Sequence, residues 1–313
     1  MPKFAFFKGD YVPIQDAKVS IMTHGFNYGT GCFEGIRAYW NEAEQQLYIF
    51  KLLDHYERFL HSSRILLMNL PFTAAQLADI TVELVRKEGY REDTYIRPLA
   101  YKADEVVGVR LHNLHDEFAI FAIPFGRYIE SEEGASATVS SWRRIDDNAV
   151  PARAKITGAY INSALAKTEA VLNGFDEAVV LTCDGHVSEG SAENLFIVRD
   201  GVLLTPPVTE NILEGITRKV IMELAQKELG LEVVERPIDR TELYVADEAF
   251  FCGTGVQVVA IAHIDRRPVG AGKLGPIVKA LRDLYFDIVR GQVEKYKHWC
   301  TPVYAPAREK APA

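Results

Sequence analysis

The sequence has few cysteines, no long apolar run and no cluster of basic residues, and each absence excludes a class of protein. Cys32, Cys183, Cys252 and Cys300 lie far apart and form no CxxC pair for zinc or redox chemistry, so we expect buried reduced thiols. The N-terminus, MPKFAFFKGD, reaches a Gly-Asp turn before a signal-peptide core can form, and no apolar run is long enough for a bilayer. These features predict a cytoplasmic location.

The balance of charge limits the partners of the protein. The net charge is -8, and the lysines and arginines are scattered along the chain instead of clustered. Such a distribution is unsuited to a nucleic-acid groove or an anionic membrane surface. His112 and His115 have HxxH spacing, but no carboxylate or cysteine cluster completes a metal site. We therefore expect small-molecule partners, with no metal, nucleic acid or membrane.

Length and composition predict two lobes, because 313 residues with 48% hydrophobic content exceed what one small core needs. The polar stretch around residues 126–134 has no strand pattern and predicts a linker. The predicted organisation is a smaller N-terminal domain at 1–125, the linker at 126–134, a larger C-terminal domain at 135–304 and a loose tail at 305–313.

Local patterns predict a mixture of helices and antiparallel hairpins. Thr73 and Gly89 are typical cap residues for the two ends of a helix, and a final helix is expected from Pro276 to Val289. Strand patterns flank the turns Asp184-Gly185 and Asp200-Gly201 as hairpins. The order of elements indicates an α+β fold, since a doubly wound sheet would alternate strands and helices strictly.

Two segments carry residues that suit an electron-withdrawing cofactor. Lys155 lies in PARAKITGAY, where a loop gives way to a helix, and a lysine in neutral form can attack an aldehyde. Glu189 and Glu193 lie in VSEGSAENLF, and one of these carboxylates could keep a pyridine nitrogen protonated. Taken singly, a solvated surface lysine and a polar turn are the commoner explanations.

Two further segments suit a phosphate group. In LEGITRKV, Gly215 precedes a helix that begins near Ile216 and Thr217, and free amides at a helix N-terminus bind anions. In FFCGTGVQVV, a Gly-Thr-Gly bend lets backbone amides approach an anion closely. Arg58 could complete such a site from the first domain, although a surface ion pair is the alternative.

Together these segments resemble the class IV aminotransferases, and within them the branched-chain amino acid aminotransferases. The resemblance covers nearly the whole chain, from THGFNYGTGCFEGIRAY through LLDHYERFL, YIRPLAYK, SSWRRI, SEGSAENLF, LEGITR and LYVADEAFFCGTG to GPIVKAL. It implies the two-domain fold type IV architecture, with a smaller N-terminal α/β sandwich lobe and a larger C-terminal lobe that contains a pseudo-barrel. Pyridoxal 5'-phosphate (PLP) would bind between the domains.

The resemblance also implies a reaction and a set of cofactor contacts. The amino group of Leu, Ile or Val would pass to 2-oxoglutarate through a PLP Schiff base on Lys155, the catalytic residue, which would also move the proton at the substrate α-carbon. Glu189 would pair with the pyridine nitrogen, Tyr160 would bind the 3'-oxygen, and Leu213 would lie against the ring. The predicted phosphate contacts are Arg58, Ile216, Thr217 and Thr254, with Gly215 at the turn before them.

The substrate side is implied in the same way. The expected pocket walls are Tyr28, Phe33, Tyr95, Phe125 and Tyr128. Tyr95 and the backbone at Thr254 and Gly255 would meet the substrate carboxylate, and Arg97 would receive the distal carboxylate of glutamate or 2-oxoglutarate. Val109 corresponds to a loop that reaches the neighbouring subunit's active site, so the resemblance implies a homodimer or a larger homo-oligomer.

Several positions depart from the usual family pattern, and they leave the substrate more open than the reaction. These departures are Arg110, Leu111, Phe125, Thr157, Ala159, Gly255 and Gln257. The alternatives with the same cofactor are a D-amino acid or (R)-amine transaminase and a 4-amino-4-deoxychorismate lyase. A non-catalytic PLP-binding protein is a further alternative, against which intact Lys155, Tyr160 and Glu189 argue.

Overall fold

Two β-sheets dominate the protein, whose computed structural model describes residues 1–126 and 133–305. Most strands of the first sheet come from the N-terminal part of the chain: β1 (Phe4–Phe7), β2 (Asp10–Pro13), β3 (Gly31–Phe33), β4 (Ile36–Asn41), β5 (Gln46–Phe50), β6 (Thr94–Lys102) and β7 (Asp116–Pro124). The second sheet contains β8 (Ala135–Arg143), β9 (Glu177–Leu181), β10 (Val187–Gly190), β11 (Asn194–Arg199), β12 (Val202–Thr205), β13 (Val233–Glu235), β14 (Glu248–Gly253), β15 (Gln257–Ile264) and β16 (Arg267–Pro268).

The chain returns to the first sheet at its end, where β17 (Cys300–Pro302) pairs with β5. The strand order along the main path is β17-β5-β4-β6-β7-β1-β2 in the first sheet and β10-β9-β8-β15-β14-β11-β12-β13 in the second. Most pairs are antiparallel, whereas β8 is parallel to β9 and β15, and β12 is parallel to β13. The predicted C-terminal range 135–304 placed residues 300–302 with the second lobe, but their strand hydrogen bonds are made with the first sheet.

Six α-helices accompany the sheets in the described part of the chain: α1 (His24–Tyr28), α2 (Leu52–Ile65), α3 (Ala74–Glu88), α4 (Tyr160–Leu172), α5 (Ile216–Leu229) and α6 (Pro276–Val289). Local sequence explains the ends of α3, where Thr73 forms a capping box with Gln76 and Gly89 ends the helix in the left-handed conformation. At the start of α6, the Glu248 carboxylate accepts the amides of Ile277 and Val278 at 3.0 and 2.8 Å. The α+β prediction is therefore confirmed.

The expectation of buried thiols holds for three of the four cysteines. Cys32, Cys252 and Cys300 are buried and free, as expected, whereas Cys183 is free and exposed. The expectation of a buried thiol is wrong for Cys183 because it lies in the loop between β9 and β10, not within a strand. Across residues 1–126 and 133–305, no helix has the length and apolar character needed to cross a membrane. Residues 127–132 of the predicted linker and 306–313 of the predicted tail lie outside the described residues.

Candidate active site

A cleft of about 470 Å³ lies between the two sheets and collects most of the predicted site residues. The first sheet and α2 supply some of its walls, and the second sheet, α4 and the start of α5 supply the others. The predicted residues that line it are Phe33, Arg58, Tyr95, Arg97, Phe125, Lys155, Tyr160, Glu189, Leu213, Gly215, Ile216, Thr217, Thr254 and Gly255. Residues far apart in sequence thus meet at one site.

Lys155 and Tyr160 form a hydrogen-bonded pair in this cleft. The Lys155 Nζ donates to the Tyr160 hydroxyl oxygen at 2.6 Å, and Nζ lies 5.1 Å from the centre of the Phe33 ring. The backbone of Lys155 is fixed as well, because its amide donates to Ser62 Oγ and its carbonyl accepts the Phe33 amide. The amine is therefore held next to a phenol on a rigid strand-like segment, where it can act on a bound aldehyde or a substrate proton.

Glu189 is a buried carboxylate with an unusually full set of donors. Its Oε2 accepts hydrogen bonds from Asn194 Nδ2 at 3.0 Å and from the Leu213 amide at 3.1 Å, and its Oε1 lies 2.9 Å from Arg144 Nη2. Burial raises the pKa of Glu189, while Arg144, the Leu213 amide and Lys155 oppose this rise. The carboxylate is thus oriented and still has lone pairs for a protonated ring nitrogen in the cleft.

The start of α5 provides an anion site next to Arg58. Gly215 is the N-cap residue, and the first amides of the helix have no intrahelical acceptor. A Cβ on Gly215 would lie only 1.9 Å from Asn194 Oδ1, so the close approach requires glycine here. Arg58 reaches this helix end through Nη1, which donates to the Glu214 carbonyl at 3.0 Å. Amides and a guanidinium therefore converge on one end of the cleft.

Tyr95 and Arg97 lie at another part of the wall, on alternate positions of β6. The Arg97 Nη2 donates to the Tyr95 hydroxyl at 2.8 Å, and the guanidinium carbon lies 4.3 Å from the centre of the Phe33 ring. The Arg97 Nε is buried without a hydrogen-bond partner among the described residues. Gly35 makes room for the phenol, since a Cβ there would lie 2.4 Å from the Tyr95 oxygen. The guanidinium retains donors for a carboxylate ligand.

The Gly-Thr-Gly bend connects β14 to β15 and lines the cleft with Thr254 and Gly255. Arg37, which is only 1% exposed, holds this bend through Nη1, which donates to the Gly255 carbonyl at 3.2 Å. The Nη2 of the same side chain donates to the Phe125 carbonyl at 2.7 Å. The bend is therefore fixed to the first sheet, and its amides can approach a small anion.

Two predicted substrate residues, Tyr28 and Val109, are not part of this cleft. Tyr28 is partly exposed, and its hydroxyl accepts the Gly108 amide at 3.1 Å, so it does not form a wall of its own subunit's cleft. Val109 is 86% exposed in the same loop. Tyr128 lies outside the described residues.

Sequence reasoning missed several residues that hold the site together. Arg144 and Asn194 orient Glu189, and Glu34 pairs with Arg58 at 2.7 Å. Each lies within a quoted segment, SSWRRI, SEGSAENLF or FEGIRAY. The available signal for these residues was a charged side chain inside a family segment to which no ligand contact had been assigned. The partner of such a side chain cannot be predicted from the local sequence.

The cleft fits PLP in its donors and acceptors. An amine beside a phenol, a buried carboxylate and a helix N-terminus with a nearby guanidinium match the aldehyde, the 3'-oxygen, the ring nitrogen and the phosphate of this cofactor. The fold and the site thus define a PLP-dependent aminotransferase.

Comparison with known proteins gives the particular family. The family model described as "Amino-transferase class IV" matches residues 31–264. A relative from Aquifex aeolicus (strain VF5), described as "Probable branched-chain-amino-acid aminotransferase", is 53% identical over 301 residues, covering 96% of this chain and 97% of the relative. This chain belongs to the class IV aminotransferase family and, within it, to the branched-chain-amino-acid aminotransferases.

Solved structures with the same fold include ligand-bound forms. The branched-chain aminotransferase from Thermoproteus uzoniensis with norvaline is 46% identical, with a TM-score of 0.93 and coverage of 97% of this chain and 100% of that chain. The T.th. branched-chain amino acid aminotransferase complexed with N-(5'-phosphopyridoxyl)-L-glutamate is 41% identical, with a TM-score of 0.92 and coverage of 97% and 99%. The fold type IV prediction is confirmed by these likenesses.

Proposed function

We propose that this enzyme transfers the amino group of L-leucine, L-isoleucine or L-valine to 2-oxoglutarate. The observation that carries the proposal is one cleft in which Lys155, Tyr160 and Glu189 face a largely aromatic wall that also contains the Arg97 guanidinium. An apolar wall suits branched side chains, and a guanidinium suits a second carboxylate. Norvaline and a glutamate adduct in the solved relatives support both halves of the reaction.

The cofactor side of the proposal assigns a task to each lining residue. When bound, PLP supplies an aldehyde for the amino group and a ring that withdraws electrons from the substrate α-carbon. The Lys155 amine would hold the aldehyde carbon and move the proton at the substrate α-carbon, and the Tyr160 hydroxyl, which accepts a hydrogen bond from this amine, would orient it. Glu189 would pair with a protonated ring nitrogen, and Leu213 would lie against the ring. The phosphate contacts are Arg58, Gly215, Ile216, Thr217 and Thr254.

The substrate side is assigned from the opposite wall. Tyr95 and the backbone at Thr254 and Gly255 bind the α-carboxylate, while Phe33 and Phe125 contact the apolar side chain. The Arg97 guanidinium, held against the Tyr95 hydroxyl, binds the distal carboxylate of 2-oxoglutarate. Tyr128 stays a prediction for the same wall.

An amino-donor panel with 2-oxoglutarate tests the substrate assignment. We expect kcat/KM for L-leucine to exceed that for D-alanine and for (R)-1-phenylethylamine by at least about 100-fold, because a mismatched centre misplaces the α-hydrogen relative to Lys155. The measurement is initial rate against donor concentration at fixed, saturating 2-oxoglutarate. Higher kcat/KM for either competing donor would replace the branched-chain assignment by a D-amino acid or (R)-amine transaminase.

We also propose that two copies of the chain pair through an apolar surface, here called the α1–α4 patch. Its exposed members are Val19, Ile21, Met22, Phe26, Tyr28, Val107, Val109, Ile161 and Leu165. The segments are adjacent, because the Gly158 amide donates to the Gly29 carbonyl at 3.1 Å and Tyr28 holds the loop at Gly108. A patch of this kind on a folded chain is typical of a subunit interface.

Charge placed within the α1–α4 patch should separate the subunits. We expect the Phe26→Glu/Ile161→Glu variant to sediment as a monomer and to lose most of its activity, since the loop with Val109 would no longer reach a neighbouring cleft. Val245, which is 59% exposed and outside the patch, offers the control Val245→Glu, which should leave mass and rate unchanged. A fully active monomer would contradict the proposed role of Val109.

The lobe organisation and location complete the proposal. Residues 1–125 and 135–304 form the two lobes, joined at 126–134, with residues 300–302 added to the first sheet. The four free cysteines, of which three are buried, support a reducing compartment such as the cytoplasm.

A further inference from the structure

Behind the phosphate end of the cleft, two buried side chains, Glu34 and His55, form a trio with the predicted ligand Arg58, which lines the cleft. Glu34, which is 0% exposed, follows β3, and its amide is fixed by the Pro98 carbonyl at 3.0 Å. Its Oε1 accepts Arg58 Nε at 2.7 Å, its Oε2 accepts Arg58 Nη2 at 2.7 Å, and the same Oε2 lies 2.8 Å from His55 Nδ1. Glu34 thus forms a bidentate ion pair with one edge of the Arg58 guanidinium.

The remaining hydrogen-bond donors of Arg58 are suited to a phosphate. A guanidinium has five N–H groups. Glu34 takes one on Nε and one on Nη2, and the Glu214 carbonyl takes one on Nη1 at 3.0 Å. One N–H is therefore left on each terminal nitrogen, on a side chain that lines the cleft. Two such donors in a fixed plane match two oxygens of a phosphate group.

The charges of Glu34 and Arg58 cancel, so the trio contributes to phosphate binding by orienting the guanidinium more than by electrostatic attraction. Burial raises the pKa of Glu34, but Arg58 and His55 outweigh burial and lower it to about 2. Burial lowers the pKa of His55 against the pull of Glu34, so the ring is neutral at pH 7 and donates its Nδ1 proton to Glu34. With a carboxylate, a guanidinium and a neutral imidazole, the phosphate end gains no net positive charge from these three groups.

We propose that Glu34 and His55 are positioning residues that fix the Arg58 guanidinium for the cofactor phosphate. This inference rests on the proposed function, which makes Arg58 a phosphate ligand. His55 orients the Glu34 carboxylate, Glu34 fixes the plane of the guanidinium, and that plane presents two N–H groups to the phosphate. Removing the Glu34 charge leaves the Arg58 cation unpaired near the phosphate dianion, so simple attraction predicts tighter binding of PLP. It also lets the guanidinium turn, so positioning predicts weaker binding of PLP.

Binding of PLP and of pyridoxal, which lacks the phosphate, to the full-length apoenzyme distinguishes these effects. For Glu34→Gln we expect the Kd of PLP to rise at least about tenfold while the Kd of pyridoxal changes less than about threefold. The matched control is Asp54→Asn, on the same helix as Arg58. The Asp54 side chain is 49% exposed, and among the described residues its carboxylate pairs only with Lys51. Its ratio of the two Kd values should equal that of the wild type.

A second pair of variants keeps the test decisive if Glu34→Gln does not fold. His55→Leu removes the donor to Glu34, whereas His55→Asn places an amide N–H near the former Nδ1, so the Kd ratio should shift in the first variant and recover in the second. An unchanged or lower Kd of PLP in Glu34→Gln, or equal ratios in the two His55 variants, would overturn the inference.

Arg58→Met separates this inference from the proposed function itself. If Arg58→Met weakens PLP relative to pyridoxal while the Glu34 and His55 variants do not, positioning fails and the phosphate assignment stands. If Arg58→Met leaves the ratio unchanged, the phosphate assignment of Arg58 fails, and the inference fails with it.

Discussion

Lys155→Ala should abolish transamination while leaving a folded protein that still binds the cofactor. The expected decrease in kcat is at least about four orders of magnitude, because one amine serves both as the nucleophile and as the acid–base group. The hydrogen bonds that fix Arg58 and Glu189 are kept in this variant, since none of them is made by the Lys155 side chain. The rate is measured with L-leucine and 2-oxoglutarate.

Covalent attachment gives an independent readout for the same residue. After borohydride reduction, mass spectrometry should find the cofactor on the peptide that contains Lys155 in the wild type and on no peptide of the variant. Lys279→Ala is a suitable control, because Lys279 is a surface residue of α6 with a 60% exposed side chain. Normal turnover by Lys155→Ala, or reduction onto another lysine, would refute the assigned mechanism.

Glu189→Gln should produce the second large decrease, on the order of 10²–10³ in kcat, the range typical when one fixed electrostatic contact is removed. An amide keeps the shape of the side chain but cannot balance a protonated ring nitrogen, so the ring withdraws fewer electrons. Arg144 would also lose its carboxylate partner, which lies 2.9 Å away. Steady-state kinetics and the absorption spectrum of the bound cofactor should change together.

Glu193→Gln is the matched control for this prediction. Glu193 is 5% exposed and lies in the same segment, but burial and the nearby Glu177 carboxylate raise its pKa well above the usual range. It is therefore largely protonated at neutral pH, and glutamine replaces one neutral group with another of similar shape. We expect kcat to stay within about threefold of the wild type. A larger loss in Glu193→Gln than in Glu189→Gln would exchange the roles of the two glutamates.

The parts of the fold that sequence could predict have strong local signals. Thr73 and Gly89 cap α3 as expected, and α6 has the predicted bounds Pro276–Val289. Short elements were missed, among them α1 (His24–Tyr28) and β3 (Gly31–Phe33). Three to five residues are too few to show a helical or strand period, so these elements depend on tertiary pairing.

For the site as well, residues within recognisable sequence segments could be predicted, whereas contacts between residues far apart in sequence could not. Most residues predicted from the family resemblance line the cleft, because the fold carries all the quoted segments except GPIVKAL to the cleft wall. The partnerships behind that wall were not predictable, since Glu34 meets Arg58 from another element and Arg144 meets Glu189 from across the sheet. Such pairs become visible only after the strands are in register. The placement of Tyr28 away from its own cleft has the same origin.

The return of β17 to the first sheet has a consequence for biosynthesis. Residues 300–302 cover the outer edge of β5, and the Val303 amide donates to the Leu47 carbonyl at 2.9 Å. During translation, the N-terminal lobe therefore emerges from the ribosome long before the segment that completes it. Its outer strand stays uncovered until residues 300–302 have emerged as well, so the first sheet is completed only after the second sheet has been synthesised.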